Sequence, residues 1–215
     1  MIVTIDGPAG AGKSSAARSL ALRLGFRFLD TGAMYRGVTL AAREQGLDLA
    51  NGEQLANLAR RIRVELVDDR VLLDGRDVTT AIRKFEITDA IHFAADNPAV
   101  RTQLVGWQRA AAANSNVVTE GRDQGTVVFP DAECKIFLTA DDEERARRRH
   151  ADLRARGEDI PFEEVLANQR LRDHRDRSRA VGALVKAADA VQVSTDGLTP
   201  EEVVVALEKI VRSKQ

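Results

Sequence analysis

The residues with the clearest chemical meaning lie near the N-terminus, in the run GPAGAGKS from Gly7 to Ser14. Its spacing fits G-x-x-x-x-G-K-[ST], a phosphate-binding loop, and it stands between a short apolar run and a helical pattern, the context that motif requires. Gly7, Gly10 and Gly12 let backbone amides approach an anion, and the following helix N-terminus adds a favourable field. Lys13 can span the β- and γ-phosphates of a nucleoside triphosphate, and the Ser14 hydroxyl can ligate Mg2+.

Such a loop implies ATP or GTP but not a reaction. An N-K-x-D base-reading segment, expected of a GTPase, is absent, and so is an apolar strand ending in adjacent acids, expected of a translocating ATPase. A small kinase needs a second anion site so that two phosphate-bearing substrates meet in line. Arginines supply candidates. Arg36 falls one turn into the helix after DTG, Arg101 and Arg109 follow Pro98, and Arg122 ends a strand in EGRD. Arg172, Arg175 and Arg179 are spaced to share a helix face, in a stretch (166–180) with five arginines and two acids. Asp123 either pins an arginine fork or accepts from a base amino group. Asp30 either caps the next helix or orients a metal shell or an arginine.

Around these residues the sequence predicts an α/β layered domain. Ile2–Ile5 reads as a buried strand, followed by a helix from Lys13 that Gly25 stops. Phe26–Leu29 is a second strand, and helices follow to Gln45 and over Gly52–Arg60. Residues 63–80 alternate around DD and DG and read as a hairpin, which puts an insertion at 63–97. Helices then cover Glu86–Ala95 and the segment from Pro98 to Ala113. NVVTE, KIFLTA and DAVQVST read as three further strands. The helix over DDEERARRRHADLRARG carries its acids first and its arginines later, which suits the helix dipole. FEEVLANQRLRDHRDRSRAV is helical for most of its length, and Thr199 and Pro200 open the last helix. Five short strands with intervening helices imply right-handed crossovers.

Composition narrows the class further. The 215 residues carry 32 basic and 33 acidic side chains, a net charge of −1, and 26 of the basic ones are arginine. That balance argues against a nucleic-acid partner. One cysteine and three histidines exclude a disulfide framework and a clustered zinc site. No run is apolar enough to span a membrane, and the first residues lack a secretory pattern, so the cytoplasm is the expected location; a monomer is the expected state.

TIDGPAGAGKSSAA, FLDTGAMYR, VTTAIR, NPAVR, EGRDQGTVVFPDAECKIFLTA and RDHRDRSRAV, in that order along nearly the whole chain, resemble the bacterial cytidylate kinases, a branch of the nucleoside monophosphate kinases. The resemblance implies a P-loop fold with a five-stranded parallel sheet, helices on both faces, an inserted acceptor-binding region (63–97) and a short lid (about 145–160) whose arginines close over the donor. It implies ATP and Mg2+, with Gly7, Pro8, Ala9, Gly10, Ala11, Gly12, Lys13, Ser14 and Ser15 cradling ATP. Thr31, Arg36, Arg101, Arg122, Asp123, Arg172 and Arg179 would hold CMP or dCMP. Of these, Arg101 and Asp123 would lie at the cytosine edge, with Arg36, Arg122 and Arg179 nearer the phosphate or ribose. Lys13, Arg122, Arg172 and Arg179 would carry the catalytic charge. His92 stands where members commonly have a serine that reads cytosine. The expectation is therefore an ATP-dependent (d)CMP kinase. The alternatives are another small-molecule kinase, of UMP/CMP, adenylate or shikimate type, or a non-catalytic ATP-dependent RNA-binding module.

Overall fold

A computed structural model describes every residue except Asp68 and Arg156. In chain order the elements begin with β1 (Ile2–Asp6), α1 (Lys13–Leu24), β2 (Arg27–Asp30), α2 (Thr31–Glu44) and α3 (Gly52–Arg61). β3 (Val64–Val67), β4 (Arg70–Leu73), β5 (Arg76–Asp77), α4 (Phe85–Ala95) and α5 (Pro98–Ala112) follow. β6 (Val117–Gly121), β7 (Cys134–Thr139), α6 (Asp142–Ala155), α7 (Phe162–Ser178), β8 (Val191–Ser194) and α8 (Pro200–Arg212) complete the chain.

The main sheet has five strands in the order β2-β6-β1-β7-β8. The expected α/β fold with helices on both faces is therefore the one found. β1 is its axis, paired in parallel with β6 (Val3 opposite Val118) and β7 (Val3 opposite Cys134). Val3, Thr4 and Ile5 are all fully buried, as a central strand covered on both faces requires. β1 has β6 on one side and β7 on the other, and the glycine loop follows directly from its C-terminal end.

The chain divides into two compact units, residues 1–26 with 116–215, and residues 27–115. The first holds β1, β6, β7, β8 and helices α1, α6, α7 and α8. A full capping box sets the last helix: Thr199 Oγ1 accepts from the Glu202 amide, and the Glu202 carboxylate accepts from the Thr199 amide. In the second unit, α2 is buried along most of its length (Ala33, Met34, Val38, Ala41 and Ala42 among others), so it forms that unit's core.

Two stretches differ from the sequence reading. Residues 63–80 form a three-stranded antiparallel sheet, β3-β4-β5, and not a single hairpin. The DG signal makes the second turn, with Asp74 and Gly75 both at positive φ (49° and 81°). The DD signal includes Asp68 and lies outside the described residues. The second difference is a π turn over Gln124–Val128, where no element was expected. No helix among the described residues is long and apolar enough to cross a membrane.

Candidate active site

β1 runs directly into the glycine loop, and the loop is seated by close backbone approach. A Cβ at Gly7 would fall 1.9 Å from the Leu138 carbonyl oxygen on β7, so no side chain fits there. α1 starts after Gly12 with no side-chain cap, which leaves its first amides available to an anion. Ser15 turns back on the loop, its hydroxyl donating to Gly12 O (2.9 Å).

Lys13 is buried, and its Nζ donates to Pro8 O at 2.7 Å. Burial and the neighbouring charge of Arg122 pull its pKa down to about 7, with Arg172 acting the same way and Glu120 and Asp176 opposing. Ser14 Oγ donates to Glu120 Oε1 at 2.8 Å. Glu120 is buried at the end of β6, beside the loop.

One carboxylate organises the arginines of this unit. Asp176 accepts from Arg122 Nε at 2.7 Å and from Arg179 Nη2 at 2.8 Å. Burial would raise the Asp176 pKa, but Arg122, Arg179 and Arg172 outweigh it and hold it below the usual carboxylate range. Burial likewise works against the Arg122 charge, and Asp176, Glu120 and Asp173 reverse that effect. Arg172 opens to solvent, yet surrounding protein and Arg122 lower its pKa to about 10. The predicted helix face is corrected at Arg179. α7 ends at Ser178, because Arg179 adopts extended backbone (φ −59°, ψ 133°), and its guanidinium reaches back one turn to Asp176.

Asp123 is buried at the start of the π turn, and its carbonyl accepts from the amides of Val127 (2.9 Å) and Val128 (3.1 Å). The turn is fastened by Asp6, whose two oxygens accept from the Gln124 amide (2.9 Å) and the Gly125 amide (2.8 Å). Burial pushes the Asp6 pKa up to about 6 in spite of those two bonds.

The other candidates lie in the unit of residues 27–115. Asp30 N-caps α2 by accepting from the Ala33 amide (2.9 Å) and also pairs with Arg36 Nη2 (3.2 Å), so it both caps the helix and orients an arginine. Arg83 approaches the same carboxylate at 3.8 Å. Thr31 is buried at the first position of α2. Arg101 is buried, donates to Ala95 O (3.1 Å) and lies 5.6 Å over the Tyr35 ring. Arg109 is exposed. His92 is half-buried on α4, with Nδ1 2.9 Å from Asp89 O and its ring beside Phe93. The carbonyl can only accept, so Nδ1–H donates to it and Nε2 is the ring nitrogen turned to other partners.

Sequence reasoning missed Glu120, Asp6, Asp176 and Arg83. Asp6 and Glu120 each lie at or near the end of an apolar strand, and Asp176 stands inside RDHRDR, so strand-end and helix-turn position were the available signals.

A buried parallel strand feeding a phosphate loop, with Lys13, Arg122 and Arg172 inside one another's fields, defines a P-loop phosphotransferase. The sequence pattern of the cytidylate kinases matches residues 3–213. A cytidylate kinase from Rhodopirellula baltica is 51% identical over 212 residues, covering 99% of this chain and 93% of that one. One from Mycolicibacterium paratuberculosis is 48% identical over 220 residues, covering 100% and 96%. The chain belongs to the cytidylate kinase family. A solved structure of an uncharacterized protein from Eubacterium ventriosum, 12% identical with a TM-score of 0.53 over 99% of both chains, shares the fold.

Proposed function

We propose that this chain transfers the γ-phosphoryl group of ATP to CMP and dCMP, giving ADP and CDP or dCDP, as a cytoplasmic monomer. The observation that carries the reading is the cluster of Lys13, Arg122 and Arg172 beside the glycine loop, with Arg122 and Arg179 held by Asp176. Only a highly anionic group relieves such a concentration of positive charge. A nucleoside triphosphate meeting a monophosphate supplies one.

In this mechanism Gly7–Ser15 binds ATP, and Lys13, Arg122, Arg172 and Arg179 neutralise charge on the transferring group. A non-bridging oxygen of the CMP phosphate attacks the γ-phosphorus in line. The β–γ bridging P–O bond breaks, and ADP leaves with the electron pair. No side chain need remove a proton, because the acceptor phosphate is already an anion near neutral pH. Catalysis is positioning and charge stabilisation. Thr31, Arg36, His92, Arg101 and Asp123 serve the acceptor nucleotide. Ser14 Oγ and Glu120 Oε1 are hard oxygens side by side, a donor pair that fits Mg2+ with most of its shell left to nucleotide and water. When bound, Mg2+ neutralises the β- and γ-oxygens.

An assay of ADP release with CMP, dCMP, UMP, AMP and shikimate tests the reading. CMP and dCMP should give the highest kcat/KM. Faster turnover of AMP, UMP or shikimate, or none with any acceptor, overturns it.

A further inference from the structure

Among the described residues of the phosphate-loop unit, Arg145 has the most deeply buried guanidinium, with a side chain 1% exposed. It lies in the first turn of α6, at the start of the region expected to form a lid of donor-facing arginines. Its bonds are all internal. Nη1 donates to the Ala9 carbonyl in the glycine loop at 2.7 Å, and Nε donates to Ala140 O at 3.1 Å. Nη2 pairs with Asp173 Oδ2 at 2.7 Å and also meets Asp142. The loop rests on the same residue, since a Cβ at Gly10 (φ +79°) would stand 3.1 Å from Arg145 Cβ and 3.3 Å from Gln169 Oε1.

Two arguments make this more than packing. First, a trans peptide sets its C=O and N–H on opposite sides. Holding the Ala9 carbonyl against Arg145 therefore turns the Gly10 amide the other way, out of the protein side of the loop. Second, the pair is poorly satisfied as a stabilising device. Asp173 is buried, yet its Oδ1 has no hydrogen-bond partner among the described residues. Apolar replacement of buried ion pairs is often neutral or stabilising, so stability alone is a weak reason for this one.

Asp173 also lies one turn before Asp176 on the buried face of α7. One turn of helix thus carries the carboxylate that holds Arg145 and the carboxylate that holds Arg122 and Arg179. We infer that Arg145 is a positioning residue for phosphoryl transfer: through the Ala9 carbonyl it aims the Gly10 amide at the nucleotide phosphates and keeps the loop in register with the Asp176 arginine clamp. The inference rests on the ATP-dependent reading above.

The test compares Arg145→Met and the double variant Arg145→Met/Asp173→Asn with the wild type. Each gets urea unfolding, calorimetric ADP binding without turnover, and KM for ATP and CMP. The single variant strands the Asp173 charge and should lose stability. The double variant should regain most of that stability and keep the defect in the loop. Losing a charge-assisted bond that orients the loop predicts ADP binding and KM for ATP weaker by about 10- to 100-fold, with KM for CMP changed far less. If the double variant unfolds like wild type and binds ADP within twofold of it, Arg145 is scaffold and the inference fails. A change shared equally by ATP and CMP also refutes it. Wild-type protein that binds no ADP would instead sink the functional reading.

Discussion

Replacing Asp176 with asparagine removes the charge on which the arginine clamp is built and leaves the shape almost unchanged. The carboxylate accepts from Arg122 at 2.7 Å and from Arg179 at 2.8 Å, and its side chain is only 9% exposed. Asparagine has one oxygen for two guanidinium donors, and its NH2 group then faces a cation. Removing one partner of a buried pair costs about 3–5 kcal/mol, and a hydrogen bond to a charged group contributes about 1.5–3 kcal/mol. The substituted side chain would keep one neutral bond, and Arg122, 18% exposed, can rehydrate in part. The expected loss of stability is therefore about 2–3 kcal/mol at pH 7. The asparagine would also leave Arg122 and Arg172 to repel Lys13 without the opposing field of Asp176. Steady-state kinetics should show kcat/KM for CMP down by about 100-fold, as both forks lose their aim. Urea unfolding across pH supplies the second readout. Asp176 has a folded pKa below its unfolded value, so its stabilisation is present above the unfolded value, near 3.9, and is lost as pH falls through the folded one. The gap between wild type and Asp176→Asn should be widest near pH 5, narrow as Lys13 loses its proton towards pH 8, and close below about pH 4. Stability within 0.5 kcal/mol of wild type together with kcat/KM within about twofold would refute the idea that this carboxylate organises the site.

Lys13→Ala should lower kcat at saturating substrates by at least about 100-fold and leave the fold intact. It should also remove the rise in wild-type stability between pH 7 and pH 10 that a lysine pKa lowered to about 7 requires, which unfolding curves at both pH values would reveal. His92→Ser should retain CMP turnover but change the CMP/UMP or CMP/dCMP ratio of kcat/KM by about 2- to 10-fold; unchanged ratios would make His92 scaffold. Asp6, raised to about 6, holds its proton to higher pH in the folded state than in the unfolded one. Wild-type stability should therefore fall by about 2 kcal/mol as pH rises from 4 to 6, and Asp6→Asn should flatten that slope in urea titrations.

The parts of this molecule legible in its sequence are those fixed by neighbours along the chain. The phosphate loop is one contiguous run, and α8 announces itself through Thr199 and Pro200 side by side. The family resemblance extended that reading to single arginines. What stayed hidden depends on contacts across long stretches of chain. The π turn at Gln124 exists because Asp6, 118 residues earlier, takes its amide, and nothing in QGTVV signals it. The end of α7 is similar. RDHRDRSR has helical spacing throughout, but Arg179 leaves the helix and turns back to Asp176. Residues 63–80 alternate in the way a hairpin does, and the short third strand, Arg76–Asp77, offers too little pattern to be seen.

The same long-range pairings explain how 26 arginines coexist with a net charge of −1 and still build an anion site. The arginines singled out are sorted by carboxylates: Asp30 takes Arg36 and Arg83, Asp176 takes Arg122 and Arg179, and Asp173 with Asp142 takes Arg145. A carboxylate that holds two forks leaves the cluster with one net positive charge while fixing both forks in place. Lys13 and Arg172 are the cations whose pKa values fall, to about 7 and about 10, the first through burial and Arg122, the second through the surrounding protein and Arg122 although its side chain opens to solvent. Their charge is unfavourable in the absence of a phosphate, and a bound nucleotide offsets that cost. Ligand binding to the folded state alone raises stability by RT ln(1 + [L]/Kd), so ATP should protect this unit from unfolding by more than its contact area suggests. The site is arranged for charge that arrives with the substrates, and for that reason its own carboxylates hold arginines in place and leave Lys13 and Arg172 to meet the phosphates.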